Sequence, residues 1–163
     1  MNLTDILKGE IDVQYRATES LMKLVDADKL DWKPTGESAD TKWFTTGELL
    51  SHLTNACGFC CKAFATGDWG SSMGGGPKSI GPDEALKALA EDKQTALATI
   101  AEVGEDALHT RKVVAPWDQS KTEVVIGKMF HDMIGHLSQH KSQLFYYLKL
   151  QGKPVHTGHL WGM

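Results

Sequence analysis

His136 and His140 stand four residues apart in His136-Leu137-Ser138-Gln139-His140. On a helix that spacing stacks two side chains one turn apart on the same face. Two neutral imidazoles so placed can converge on a single ion. His52, in Leu49-Leu50-Ser51-His52-Leu53, lies on the inward side of a different helical segment, between Leu49 and Ala56. Three inward histidines from two helices form the kind of set from which a bundle builds an internal metal site. A single histidine on an apolar face is more often a plain core or boundary residue. An i, i+4 pair also arises without function, so the third histidine on a second helix is what favours a shared ion.

Three neutral imidazoles would leave the 2+ charge of an ion uncompensated and at least one coordination position open. Both features suit a catalytic site better than a structural one. Zinc fits three histidines best, and nickel and iron also accept imidazole. The di-iron bundle pattern, Glu plus Glu-x-x-His, is missing: Glu48 precedes His52 by four residues, and no Glu-x-x-His lies near His136 or His140. There is no His-Glu-x-x-His either.

The remaining histidines separate by position. His131 is five residues before His136, roughly 140° around a helix, and points away from a shared ion. His109 falls at a helix end or loop, and His156 and His159 lie in the C-terminal tail. Gln143, seven residues after His136, is placed to hydrogen-bond near the site. Cys57, Cys60 and Cys61 crowd one helix in odd number, which is a poor disulfide framework and suits a reducing compartment. Small buried hydrophobes are their commonest role; Cys60 faces closest to His52 and is a candidate supporting residue. No catalytic residue stands out. Gly74-Gly75-Gly76 follows no strand and precedes no Gly-Lys-Ser/Thr, so it does not read as a phosphate loop. Trp43, Trp69, Trp117 and Trp161 lie in or beside loops, where packing that anchors the loop is the expected use.

Four amphipathic segments must position these groups. The first runs from about Thr4, a candidate cap, to Val25, with Leu7, Ile11, Tyr15, Leu21 and Met22 on its stripe. The second runs from about Thr46 to Thr66, opened by a capping box between Thr45 and Glu48 and stopped by Gly67. Leu49, Leu53, Ala56, Cys60 and Phe64 form its inward face. The third runs from Pro82 to Val103, with Pro82 as first helical residue, Asp83 and Glu84 at the positive end, and Leu86, Leu89, Ala90, Leu97 and Ile100 as its stripe. The fourth runs from about Lys121 to Leu150, with Ser120 and Glu123 at capping-box spacing. Its face carries Met129, Met133, His136, Leu137, His140, Leu144 and Tyr147. Arg111–Val114 reads as extended. The stretches 26–42 and 67–81 read as loops. The economical solution is one all-α domain over residues 1–163, a four-helix bundle with long connections.

The 163 residues suit one domain and can bury a core without disulfides or a structural metal. A net charge of −4 and scattered basic residues argue against nucleic acid. No apolar run approaches membrane-spanning length, and Met1–Asp5 lacks the basic start and apolar run of an export signal. The cytoplasm is the expected compartment.

The segment His136-Leu-Ser-Gln-His140-Lys-Ser-Gln143-Leu144, followed by Leu148 and Gly152-Lys153-Pro154-Val155, resembles the last helix of the DinB/YfiT-like superfamily, His-x-x-x-His-Arg-x-Gln with a closing Leu-x-x-x-Gly-x-x-Val turn. Trp43 and Gly47-Glu48-Leu49-Leu50-Ser51-His52-Leu53 resemble the family's second anchor. Order, spacing and length match over nearly the whole chain. The resemblance implies a four-helix bundle of up-down-down-up type, commonly a homodimer, with His52, His136 and His140 as metal ligands. Lys141 stands where arginine is common; it keeps the charge but not the planar fork. Some members are thiol-dependent transferases or isomerases using mycothiol, bacillithiol or glutathione. Others are stress-linked metalloproteins. The implied function is therefore that of a metal-dependent enzyme of thiol-transferase or hydrolase type acting on a small molecule, where the ion would hold a low-molecular-weight thiol as thiolate. The alternatives are a non-catalytic metal-binding or stress-response bundle, and a purely structural bundle.

Overall fold

A computed structural model describes residues 2–36, 42–70 and 76–163. Met1, residues 37–41 and residues 71–75, which include Gly74 and Gly75 of the glycine run, lie outside them. Six helices and one short ribbon make up the described residues: α1 (Leu3–Met22), α2 (Thr46–Leu53), α3 (Gly58–Thr66), α4 (Pro82–Val103), α5 (Glu105–Thr110), β1 (Lys112–Val114), β2 (Glu123–Val125) and α6 (Ile126–Leu150). Short 3-10 turns occur at Ala27–Lys29 and Thr157–Trp161. α1 packs on α4 and α6, α3 packs on α4 and α6, and α2 packs on α6 and α4. The all-α bundle expected from the four stripes is thus present, with one ribbon added. Among the described residues no helix is long and apolar enough to cross a membrane.

The first helix starts one residue earlier than its pattern suggests. Asn2, not Thr4, caps it by accepting the Asp5 N–H at 2.8 Å. Thr4 instead meets Glu105 of α5. The Glu105 carboxylate accepts the N–H groups of Leu3 and Thr4 and the Thr4 hydroxyl, at 2.8, 2.9 and 2.6 Å. These bonds, that from the Thr4 hydroxyl above all, hold the Glu105 carboxyl down at about 2.

The second segment is not one helix. The capping box between Thr45 and Glu48 forms as expected, and the left-handed Gly67 ends the segment. Between α2 and α3, however, residues 54–57 turn. The Thr54 hydroxyl and the Asn55 side-chain amide both bond back to the Ser51 carbonyl, at 2.7 and 3.2 Å. Side chains of this type offer the backbone an alternative to the helix ladder. Cys57 then takes a non-helical conformation before α3 restarts at Gly58.

The third segment matches in both limits, with Pro82 first and Gly104 closing. Its buried stripe is shifted, however: Ala85, Leu89, Asp92, Ala96, Thr99 and Ile100 face inward, while Leu86 and Leu97 are only half-buried and Ala90 is exposed. The fourth segment begins later than its capping signal. Ser120 and Glu123 make no capping box, because Asp118 takes the Ser120 hydroxyl at 2.6 Å and Lys121 adopts a positive φ of 54°. Glu123-Val124-Val125 instead pair antiparallel with the extended 112–114 strand, Val113 opposite Val124. Two consecutive β-branched residues favour that pleated pairing over a helix. α6 therefore starts at Ile126, whose N–H is taken by the Arg111 carbonyl at 2.8 Å.

Candidate metal centre

The break after α2 and the uninterrupted α6 together bring three imidazoles to one point. His52 lies in the last turn of α2, and His136 and His140 lie one turn apart in the middle of α6. Their Nε2 atoms converge: His136 to His140 is 3.1 Å and His136 to His52 is 3.3 Å. The three rings meet edge to face, with centroids 4.3 to 5.1 Å apart.

Hydrogen bonds on the far side of two rings decide what the converging nitrogens carry. His136 Nδ1–H donates to the Ala56 carbonyl at 3.0 Å, which in the neutral ring leaves a lone pair on its Nε2. The proton on His140 follows from a longer chain. The Tyr147 hydroxyl donates to the Phe44 carbonyl at 2.9 Å, so it must accept from the Gln143 amide nitrogen, 3.1 Å away. Gln143 therefore turns its oxygen to His140 Nδ1, at 2.9 Å, and His140 must donate there. Its Nε2 also carries a lone pair. The 3.1 Å contact between His136 and His140 is then lone pair against lone pair. A proton on His52 Nε2 could bridge to His136 but could not serve that second contact. One cation at the centre satisfies all three nitrogens.

The distances agree with that occupant. Zinc-to-imidazole bonds of 2.0–2.1 Å in tetrahedral geometry put ligand nitrogens about 3.3 Å apart. The three ligand atoms lie within 4.8 Å of one another, and among the described residues no carboxylate or thiol joins them. Burial pushes His52 down to about 4, with His140 and His136 adding to the shift. Burial also pushes His140 down, opposed in part by its bond to Gln143. Rings that resist protonation keep their lone pairs for a metal. Phe44 covers one side, its ring centroid 5.2 Å from that of His52 and 6.2 Å from that of His140. Outer partners such as Ala56 and Gln143 fix ring orientation and raise ligand basicity, as second-layer hydrogen bonds do at metal sites generally.

Gln143 therefore contacts His140 and neither of the other two imidazoles by a hydrogen bond among the described residues. Cys60 finds other partners: its thiol donates to the Asn55 carbonyl at 3.5 Å. Burial, Asp92 and Cys57 push that thiol up to about 12, away from the reactive thiolate. His131 is exposed on the α1 side, 3.7 Å from Glu10, and His109 pairs with Glu105 at 2.9 Å. His156 and His159 meet edge to face in the C-terminal turn. Trp69 and Trp117 pack edge to face with each other and with Phe64, as loop anchors. Lys141 makes no ion pair with a carboxylate among the described residues; its ammonium donates to Gln14 Oε1 at 2.8 Å and the Leu160 carbonyl at 2.7 Å.

Sequence reasoning missed two groups that shape the site. The Ala56 carbonyl has no side-chain signature. Tyr147 is visible on the apolar stripe, but its hydroxyl role needs Phe44, more than a hundred residues away.

No curated protein matches the chain in a sequence comparison. The DinB superfamily family model matches residues 10–144, a span that takes in all three histidines and Gln143. The chain therefore belongs to the DinB superfamily.

Proposed function

We propose that the protein is a metal-dependent enzyme of thiol-transferase or hydrolase type, holding one divalent ion, zinc in first place, through His52, His136 and His140. The observation that carries the reading is the 3.1 Å approach of two nitrogens, on His136 and His140, that their hydrogen bonds leave without protons. A divalent ion bound there supplies Lewis acidity and lowers the pKa of a coordinated water or thiol. The protein's own part is to hold two rings from behind, through Ala56 and Gln143, and to cover one side with Phe44. With no carboxylate in the ligand set, the net charge on the site stays positive and favours an anionic fourth ligand. A low-molecular-weight thiol fits that description, and an electrophilic small molecule is then its co-substrate.

Metal analysis of the purified protein tests the first half. We expect one divalent ion per chain in the wild type and strong loss in His136→Ala. Absence of metal from both, even after zinc reconstitution, would overturn the reading. The second half is tested by a screen of small thiols with a halogenated aromatic electrophile. Turnover that disappears with chelator supports a transferase, whereas no turnover with any thiol or hydrolysable ester would leave a metal-binding protein without an activity.

A further inference from the structure

Asp92 projects from α4 into the core and is only 6% exposed. It contacts neither a histidine nor any ion-pair partner among the described residues. One carboxylate oxygen accepts the Phe59 N–H at 2.7 Å; the other accepts the Gly58 N–H at 2.9 Å and the Tyr15 hydroxyl at 2.6 Å. The carboxylate thus joins α1, α3 and α4 at the first turn of α3. It supplies what the preceding residue does not, since Cys57 gives that helix start no side-chain cap. The approach depends on glycine: a Cβ on Gly58 would lie 2.0 Å from the Asp92 carbonyl oxygen and 2.7 Å from Oδ1.

The consequence lies two residues upstream. Ala56, fully buried, sits in the turn between α2 and α3, and its carbonyl accepts the His136 Nδ1–H. The end of α3 that Asp92 clamps is therefore continuous with the acceptor that sets which nitrogen of His136 faces the centre. The other end of the turn is held by Thr54 and Asn55 on Ser51.

We propose that Asp92, supported by Tyr15, is a positioning residue for the metal centre, acting through the α2–α3 turn and the Ala56 carbonyl to hold His136 in its Nδ1–H tautomer. The proposal rests on the metal reading above for its purpose, but its geometry can be tested without metal.

The test uses the full chain in metal-free and zinc-titrated forms, with Asp92→Asn, Tyr15→Phe and, as a control of stability alone, Leu108→Ala, a core residue of α5 beside Gly127. Long-range proton–nitrogen NMR of the metal-free protein reads the His136 tautomer, and competition with a chromophoric chelator reads zinc affinity. In Asp92→Asn we expect a single Nδ1–H form to become a mixture and zinc binding to weaken about ten-fold, the scale of lost outer-layer support. Tyr15→Phe should shift both readouts the same way by less, and it decides the matter should Asp92→Asn not fold. Leu108→Ala should lower the denaturation midpoint and leave both unchanged. The proposal is overturned by an unaltered tautomer and unaltered affinity in the folded Asp92 or Tyr15 variant, or by an equal shift in Leu108→Ala. Failure of the wild type to bind zinc would sink the metal reading alone, because the tautomer still decides the role of Asp92.

Discussion

Gln143 sits 2.9 Å from the Nδ1 of His140 and decides which nitrogen of that ring faces the other two histidines. Its amide nitrogen is in turn fixed by Tyr147 at 3.1 Å. Replacing Gln143 by leucine keeps the helix propensity and the approximate volume but removes the acceptor. His140 is then free to take the other tautomer, which places a proton where a lone pair is needed. We expect zinc affinity about ten-fold weaker, in the range found for outer-layer partners, with helical content unchanged. Competition titration with a chelator measures the first and circular dichroism the second. An affinity equal to wild type would show that His140 needs no orienting partner.

The same burial that frees the lone pairs gives the metal-free protein a defined pH response. His52 is pushed down to about 4 in the folded chain, against about 6.5 for an unperturbed histidine. Between those values the unfolded chain binds the extra proton, so stability falls as pH drops from about 6.5 towards 4 and the loss is complete below that. His140 is shifted in the same direction and adds to the effect. Asp92, whose carboxyl is pushed up by burial, acts in the opposite sense, so the comparison must isolate the histidine. Urea midpoints of metal-free wild type and His52→Asn at pH 7 and pH 5 should converge as the pH falls. Parallel lines would mean that His52 takes up its proton alike in the folded and unfolded chains.

How far the chain could be read from its sequence depended on how local each cause is. The spacing of His136 and His140, the Thr45–Glu48 capping box and the Pro82–Gly104 limits are each settled within a few residues, and each forms as expected. The placement of His52 opposite the pair followed from its stripe. The split of the second segment was harder, because the Thr54-Asn55 signal is weak until Asp92, far along the chain, takes the N–H groups of Gly58 and Phe59. The ribbon that delays α6 was half legible. Extended 111–114 was apparent, but its partner carried a competing helix-start signal at Ser120 and Glu123, which Asp118 and the positive φ of Lys121 suppress. Asp92 lies off the stripe of Leu86, Leu89, Ala90, Leu97 and Ile100 expected for α4, and it becomes a core residue only in the shifted register that the helix adopts.

At Gly127 two effects of opposite sign meet. Glycine inside a helix costs about 1 kcal/mol relative to alanine, so Gly127→Ala would stabilise α6 in isolation. In the fold, a Cβ there would lie 2.5 Å from the Leu108 carbonyl oxygen and 2.8 Å from Leu3. Backbone cannot yield as a flexible side chain does, and overpacking of this kind costs roughly 1–3 kcal/mol. The close approach should win, and Gly127→Ala should lower stability by about 1 kcal/mol, the difference of the two. Gly135 makes the internal control. It lies in the same helix, and a methyl added there would meet nothing within 4 Å, so Gly135→Ala should raise the denaturation midpoint. Equal shifts in both variants would contradict the close packing of α5 on α6.

Lys141 follows His140 directly in the chain, yet its contacts lead to the other side of the bundle. The ammonium is buried and held only by neutral acceptors, Gln14 of α1 and the carbonyl of Leu160 in the C-terminal turn. Burial pushes it down, and no carboxylate offsets that. These contacts give it the job of tying the tail to α1 and α6 rather than of tuning the metal. Lys141→Met keeps the length and apolar stem but releases the Leu160 carbonyl. Loss of hydrogen bonds from a charged group costs about 1.5–3 kcal/mol, offset in part because a buried ammonium no longer has to be desolvated. We expect a small net loss of stability, faster amide exchange across 156–163, and zinc affinity equal to wild type. Should affinity fall while the tail stays protected, Lys141 would have to act on the histidines, and the separation between tail and metal centre drawn from these contacts would be wrong.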